Sequence, residues 1–129
     1  MLLLTMAVWI YMYIRRIAFI QTSELTPGTI TAAELARLSP PAVSNPSDNL
    51  KNLFEIPVLF YALTIYLFVT AEVDSTYVAA SWVFVGGRCL HSLVHCTVNI
   101  VMVRFSIYAL STSALWFMWV RAAIHHVGG

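Results

Sequence analysis

Residues 77–103, YVAASWVFVGGRCLHSLVHCTVNIVMV, form a run that is long enough to cross a membrane as one helix. The run carries one guanidinium, two imidazole groups and one amide, at Arg88, His91, His95 and Asn99. At 100° per residue these positions fall within an arc of about 80°, so they share one face of a helix. A charged side chain in hydrocarbon costs roughly 2.5 kcal/mol or more. This face is therefore predicted to turn toward a protein interior or a water-filled cavity.

The composition indicates that most of the chain lies in a membrane. Of its 129 residues, 60% are hydrophobic and 10% are charged, and the mean hydropathy is +0.79. Soluble domains carry about 25% charged residues. The net charge of +1, with no basic cluster, gives no indication of nucleic-acid binding. We predict a multi-pass integral membrane protein with a single domain over residues 1–129.

Four apolar segments predict an all-α, four-helix antiparallel bundle. The helices are predicted at about residues 1–20, 49–72, 77–101 and 104–124, with one long loop at 21–48. That loop is rich in Thr, Ser and Pro, with turn signals at Pro27-Gly28, Pro40-Pro41 and Asn45-Pro46. Within it, Thr31-Ala-Ala-Glu34 predicts a capping box for a short helix that runs to Leu38.

Basic residues predict the orientation of the bundle. The first loop and its flanks hold Arg15, Arg16, Arg37 and Lys51, the third loop holds Arg104, the second holds none, and Arg121 lies near the C-terminus. By the positive-inside rule, the first and third loops are cytoplasmic and both termini lie on the non-cytoplasmic side. Because the first arginines follow the first apolar run, that run is predicted to be an uncleaved helix. The compact chain favours a bacterial inner membrane.

A second polar stripe is predicted where the second segment begins. Asp48, Asn52 and Glu55 fall within about 60° of one helix face. Pro57 follows, and the carbonyl that a proline frees inside a membrane must be satisfied by neighbouring groups. Arg88 is the costliest residue to bury. A carboxylate such as Glu55, in the same subunit or in a neighbour, is its expected partner.

Two interpretations of these polar groups stay open at this point. A single ion pair or an interhelical His or Asn hydrogen bond can be purely structural, since such bonds average under about 1 kcal/mol. A polar binding cavity is favoured because six groups are expected to converge, namely Asn52, Glu55, Arg88, His91, His95 and Arg104.

A metal site is disfavoured by the spacing of its possible ligands. His91 and His95 have the i, i+4 spacing of zinc ligands, but no Glu follows His91 as an HExxH motif requires. Cys96 points about 100° away from His95. Cys89 and Cys96 lie roughly 10 Å apart along the helix axis, too far for a disulfide. We therefore predict no metal site, and the chain lacks the repeat expected of a transporter.

Three motifs carry a family resemblance. Asn52-Leu-Phe-Glu55-Ile-Pro57 is followed by Gly87-Arg88-x-x-His91-x-x-x-His95 and then by Arg104-x-x-x-Tyr108. Over about residues 5–120 this combination resembles the MAPEG family, the membrane-associated proteins in eicosanoid and glutathione metabolism.

The resemblance implies a homotrimer in which glutathione, the cosubstrate, lies between neighbouring subunits near the cytoplasmic side. Its implied binding positions are Asn52, Glu55, Arg88, His91, His95 and Tyr108. Arg104 matches the family arginine that stabilises the glutathione thiolate, which makes it the predicted catalytic residue. A guanidinium in a low-dielectric cleft lowers the pKa of a thiol and so supplies the nucleophile at neutral pH.

The chain departs from the family pattern at three positions. Asp48 replaces an arginine four residues before Asn52, His95 replaces a tyrosine, and Phe105 follows Arg104 where some members have serine. Two functions stay open. One is a transferase or peroxidase acting on a lipophilic electrophile that enters from the membrane lipid. The other is a non-catalytic member that binds a lipid or peptide ligand in the same intersubunit cleft.

Overall fold

The computed structural model of the chain describes residues 1–23, 28 and 30–128. These residues form helices and no strands. In chain order the helices are α1 (Leu2–Thr22), α2 (Ala32–Leu38), α3 (Pro41–Leu53), α4 (Ile56–Val69), α5 (Ser75–Cys96) and α6 (Val101–Gly128). Among the described residues, α1, the run Pro41–Val69 and α6 are long and apolar enough to cross a membrane. The predicted all-α bundle is confirmed, with α5, of 22 residues, as its fourth long element.

Three helices build the main core of the bundle. Its buried residues come from α4, α5 and α6, and they are Phe60, Leu63, Leu67, Tyr77, Phe84, Leu115, Met118 and Ala122. Phe60 and Phe84 stack with their ring centroids 4.6 Å apart. α1 packs along α3 and buries Val8 and Met12. The outer faces of the long helices keep large apolar side chains exposed, as expected for surfaces that contact lipid or another subunit.

The loop predicted at 21–48 contains more helix than expected. The capping box is confirmed, because the Glu34 N–H donates to Thr31 Oγ1 at 3.2 Å and the Thr31 N–H donates to the Glu34 carboxylate at 2.9 Å. Pro40-Pro41 begins α3 instead of a turn, since proline suits the first helical position. Asn45-Pro46 lies inside α3, so that turn prediction is wrong. The Pro27-Gly28 prediction falls partly outside the described residues.

An arginine from α1 makes the internal proline of α3 tolerable. Pro46 has no N–H, so the Ala42 carbonyl loses its helical partner. Arg15 Nε donates to that carbonyl at 3.2 Å. The exposed Arg15 therefore links α1 to α3 by binding the main-chain carbonyl that Pro46 leaves without a helical donor.

The helix predicted at 49–72 is broken near its start. α3 ends at Leu53 and α4 begins at Ile56, with Glu55 between them at φ −97° and ψ −104°. Pro57 cannot donate to the Leu53 carbonyl, and the break also frees the carbonyl of Asn52. The predicted stripe of Asp48, Asn52 and Glu55 is therefore interrupted before Glu55.

The helix predicted at 77–101 ends early, at Cys96. Asn99 adopts a left-handed φ of 47°, and its N–H donates to the Val94 carbonyl at 2.7 Å. Asn tolerates this conformation better than most residues, so no Gly or Pro is needed for the turn. The prediction that Asn99 lies on the polar face of α5 is wrong. Arg104, predicted at the boundary between the third loop and the fourth helix, lies in the first turn of α6.

α5 and α6 approach each other closely at Gly87. A Cβ built there lies 2.6 Å from Ser111 Cβ, whereas a Cβ at Gly86 meets nothing within 4 Å. Neither glycine has a positive φ. Gly87 therefore matters for the space that it leaves and not for its backbone conformation.

We expect Gly87→Ala to lower the stability of the bundle by about 1–3 kcal/mol, because the added methyl forces α5 and α6 apart. The matched variant Gly86→Ala should be neutral or more stable by up to about 1 kcal/mol, since alanine favours helix. Thermal unfolding of the purified protein in detergent, followed by circular dichroism, measures both changes. Equal unfolding midpoints for the two variants would contradict the close approach.

An ion pair joins α5 and α6 at the end of the bundle that carries the Thr70–Asp74 link. Both terminal nitrogens of the Arg121 guanidinium donate to the Asp74 carboxylate, at 2.8 and 2.5 Å. Asp74 also caps α5 by accepting from the Tyr77 N–H at 3.0 Å. The hydrogen bonds from Arg121 hold the pKa of Asp74 well below its usual range. The pair therefore stays ionised at physiological pH.

Candidate functional site

Three basic side chains of α5 are buried in the bundle. Arg88 is 0% exposed, and His91 and His95 are each 3% exposed. Their spacing of three and four residues places them on one face, toward α3 and α6. The expectation that this face avoids lipid agrees with their burial. The rest of the site is built around these three residues.

Arg88 binds the main chain at the helix break. Its Nη2 donates to the Asn52 carbonyl at 3.0 Å. That carbonyl lacks a helical partner because α3 ends at the next residue. The arginine thus completes the hydrogen bonding of the break between α3 and α4.

The expected ion pair between Arg88 and Glu55 within one chain is wrong. Glu55 is exposed, and no ion pair joins it to Arg88 among the described residues. The break turns the Glu55 side chain outward and presents the Asn52 carbonyl to the guanidinium instead. Glu55 is still near enough to interact with Arg88 through space.

Tyr108 of α6 closes the cluster from the other side. The Arg88 Cζ lies 5.4 Å from the centroid of the Tyr108 ring, within the range of a cation–π contact. The His91 ring lies 5.9 Å from Tyr108 and 5.6 Å from His95, measured between centroids. Residues from α3, α5 and α6 therefore meet at one place, which we call the arginine–histidine cluster (Arg88, His91, His95, Tyr108).

Several polar atoms of the cluster are buried without a hydrogen-bond partner in the described part of the chain. They are Arg88 Nε and Nη1, His91 Nδ1 and His95 Nδ1. Buried polar atoms in proteins are nearly always bonded. Leaving one unpaired costs about 1–3 kcal/mol. The hydrogen bonding of the cluster is therefore incomplete within the described part of the chain.

Arg104 lies beside the cluster, half-buried in α6. Its Nη1 donates to Asn99 Oδ1 at 2.6 Å, and Asn99 Nδ2 donates to Asn45 Oδ1 at 3.0 Å. The guanidinium is near enough to interact electrostatically with His91 and His95. The turn after α5 thus fixes the position of the Arg104 guanidinium through Asn99.

Asn52 contributes its main chain more directly than its side chain. Its Nδ2 donates back to the Asp48 carbonyl at 3.2 Å, so the amide is held along α3. Of the predicted site residues, the structure brings Arg88, His91, His95 and Tyr108 into contact. It places Arg104 beside them and leaves Glu55 on the outer surface.

Asn49 was not predicted as a site residue from the sequence. This residue is 0% exposed, accepts from Ser92 Oγ at 3.3 Å and donates to Cys96 Sγ at 3.4 Å. The signal was present, because Asn45, Asn49 and Asn52 fall within about 60° of one helix face. Treating Asn45-Pro46 as a turn hid this asparagine face of α3, which faces α5 and the turn after it.

The chemistry of the site suits an anionic ligand. It offers two guanidinium groups, two imidazoles and a phenol, with one carboxylate at its outer edge. Guanidinium groups bind carboxylates with directed, charge-assisted hydrogen bonds. No group of three or more His, Cys, Asp or Glu side chains arranged for a metal occurs within the described residues.

A comparison with protein-family models matches one family. The model described as "MAPEG family" matches residues 1–124. No curated protein matches the chain significantly, and no solved structure does so either.

Proposed function

The chain belongs to the MAPEG family, a family of membrane helical bundles, and from that premise we propose that it is a glutathione-dependent transferase or peroxidase acting on a lipophilic electrophile. The three apolar spans among the described residues make it an integral membrane protein. Its family groups it with the membrane proteins of eicosanoid and glutathione metabolism. The family as a whole is associated with glutathione. For this chain, both the use of glutathione as cosubstrate and the transferase or peroxidase reaction are our proposals.

The proposal rests on one observation: the arginine–histidine cluster is buried, and several of its nitrogen atoms have no hydrogen-bond partner in the described part of the chain. A guanidinium buried only for packing is expected to bond all of its N–H groups. Arg88 leaves two nitrogens free, and the two neighbouring imidazoles each leave one. A tripeptide with two carboxylates and two amide groups supplies the acceptors and donors that such a site lacks.

We propose that glutathione binds beside this cluster, in a cleft that a second copy of the chain completes. Glu55 supports this arrangement because it is exposed on the outer surface of the subunit, where its carboxylate can receive the ammonium group of the ligand. The exposed apolar faces of the helices allow subunits to pack side by side in the bilayer. The homotrimer implied by the family resemblance is part of the proposal.

In the proposed reaction Arg104 is the catalytic residue. Its positive charge favours loss of the thiol proton to solvent and stabilises the thiolate that remains. The sulfur lone pair then attacks an electrophilic carbon of the second substrate. A carbon–sulfur bond forms, and the leaving group, such as chloride, departs with the electron pair of its bond.

A second function is favoured by one observation. Arg104 already donates a short hydrogen bond to Asn99, so part of its guanidinium is engaged. Phe105 beside it offers no hydroxyl. In this alternative the chain binds a lipid or peptide in the same cleft and performs no chemistry.

Conjugation of glutathione to a chlorinated nitroaromatic by the purified protein in detergent tests the proposal. We expect turnover above the uncatalysed rate, with saturation in glutathione. Reduction of a lipid hydroperoxide in parallel separates the transferase from the peroxidase. Saturable binding of glutathione without either reaction favours the second function, and absence of both binding and turnover refutes the first.

The orientation in the membrane is also part of the proposal. We place the end of the bundle that carries α2 in the cytoplasm of a bacterial cell, with both termini on the other side of the inner membrane. The distribution of basic residues supports it. Reporter fusions at the two termini test it.

A further inference from the structure

α3 has a second polar face, which shares Asp48 with the stripe predicted at the start of the second apolar segment. Ser44, Ser47, Asp48 and Lys51 fall within an arc of about 100°. The centre of this arc lies about 120° around the helix from the asparagine face. The serine–lysine face therefore points toward α1 and α2, away from the contact of α3 with α5.

A cavity of about 460 Å³ lies between α1, α2 and this face. Its size falls within the range of small-molecule sites, roughly 300–1,000 Å³. The polar lining consists of Arg16, Ser39, Ser44, Ser47, Asp48 and Lys51, and three alanines of α2 complete the wall. Because alanine side chains are short, α2 covers the cavity without filling it.

The cationic groups of the cavity are arranged for an anion. Arg16 Nη2 donates to Ser47 Oγ at 3.0 Å, while its buried Nε has no partner in the described part of the chain. Lys51 Nζ lies 2.9 Å from Asp48 Oδ1, and both side chains are more than half exposed, so this pair lies at the mouth. Two cations and one carboxylate leave a net charge of +1.

We propose that this cavity binds a phosphate group, carried by an anionic phospholipid or free in solution. The guanidinium of Arg16 offers the fork geometry that phosphate oxygens accept, and the serine hydroxyls add donors. Arg16 follows the apolar part of α1, so the cavity lies where lipid headgroups meet the bundle. Basic pockets between membrane helices at this level bind anionic headgroups.

Binding to the purified full chain in an uncharged detergent tests the proposal. The probes are short-chain phosphatidylglycerol, short-chain phosphatidylcholine and inorganic phosphate, each titrated while the unfolding midpoint is measured. A ligand of the folded state raises this midpoint as its concentration exceeds Kd. We expect phosphatidylglycerol to bind at least tenfold more tightly than phosphatidylcholine. An equal effect of inorganic phosphate assigns the site to free phosphate.

Three variants localise the effect. Arg16→Gln is expected to weaken binding at least tenfold, and Asp48→Asn is expected to strengthen it severalfold because it removes the competing carboxylate. Arg37→Gln removes a charge from α2 that does not line the cavity and should change nothing. If Arg16→Gln does not fold, the expected increase in affinity of Asp48→Asn tests the proposal alone.

The proposal is overturned if none of the probes shifts the midpoint. It is also overturned if Arg16→Gln and Arg37→Gln weaken binding equally, or if Asp48→Asn binds no more tightly. The test measures binding and the unfolding midpoint, so it is read separately from the conjugation assay.

Discussion

Arg104→Ala should lower the rate of glutathione conjugation at neutral pH by about 100-fold or more. Removing a group that stabilises a developing negative charge typically costs 10²–10³ in rate. Here the lost interaction is the one between the guanidinium and the glutathione thiolate. The affinity for glutathione should change much less, since Arg88 and the imidazoles remain.

The pH profile separates this role from a structural one. Without Arg104 the rate should keep rising with pH toward the ordinary pKa of a free thiol, about 8.5. In the unchanged protein the rate should level off at lower pH. Steady-state kinetics between pH 6 and about pH 9 records both curves.

Asn99→Gly is the matched control for Arg104→Ala. It removes the amide that bonds the guanidinium and keeps the left-handed backbone, which glycine adopts freely. We expect a loss of less than tenfold, because the charge stays in place. The proposed role of Arg104 is wrong if Arg104→Ala retains a third or more of the activity, or if both variants lose the same amount.

Arg88→Ala should destabilise the folded protein by about 3–5 kcal/mol. Arg88 has the largest fully buried side chain among the described residues, so its truncation leaves a cavity. It also leaves the Asn52 carbonyl without a donor at the break between α3 and α4. The unfolding midpoint in detergent should fall clearly.

Comparison with Arg88→Met separates the contribution of packing to this loss of stability from the contribution of hydrogen bonding. Methionine refills most of the volume and cannot donate to the Asn52 carbonyl, so we expect a loss of about 1–2 kcal/mol. Arg37→Ala, on the exposed surface of α2, should leave the midpoint unchanged. An Arg88→Ala protein as stable as the parent would show that the guanidinium does not support the break.

Helical periodicity predicted the buried face of α5 because burial follows the chemistry of the side chains. Exposing Arg88, His91 and His95 to hydrocarbon is energetically costly, so the helix face that they share turns toward the protein interior. The all-α bundle follows from the same reasoning applied to the apolar segments. These predictions depend only on local spacing and on the cost of desolvation.

Helix ends were harder to predict because tertiary contacts decide them. Pro46 lies within α3 since Arg15, 31 residues earlier, takes the carbonyl that it frees. After α5 the chain turns at Asn99, whose left-handed conformation is stabilised by side-chain hydrogen bonds with Asn45 and Arg104. Neither partner can be identified from the local sequence.

The partner of Arg88 was missed for a related reason. Spacing placed Glu55 on the same face as Asn52, as it would be in an unbroken helix. The break before Pro57 instead turns Glu55 outward and exposes the main chain. Charge complementarity alone could not distinguish a carboxylate partner from a freed carbonyl.

Calorimetric titration of glutathione into the purified protein in detergent tests most directly whether the buried cluster is a ligand site. We predict saturable binding, at least tenfold weaker in Glu55→Gln and in Arg88→Met, and unchanged in the distant variant Arg37→Gln. Absence of binding at millimolar glutathione, or equal binding by all four proteins, would contradict the account.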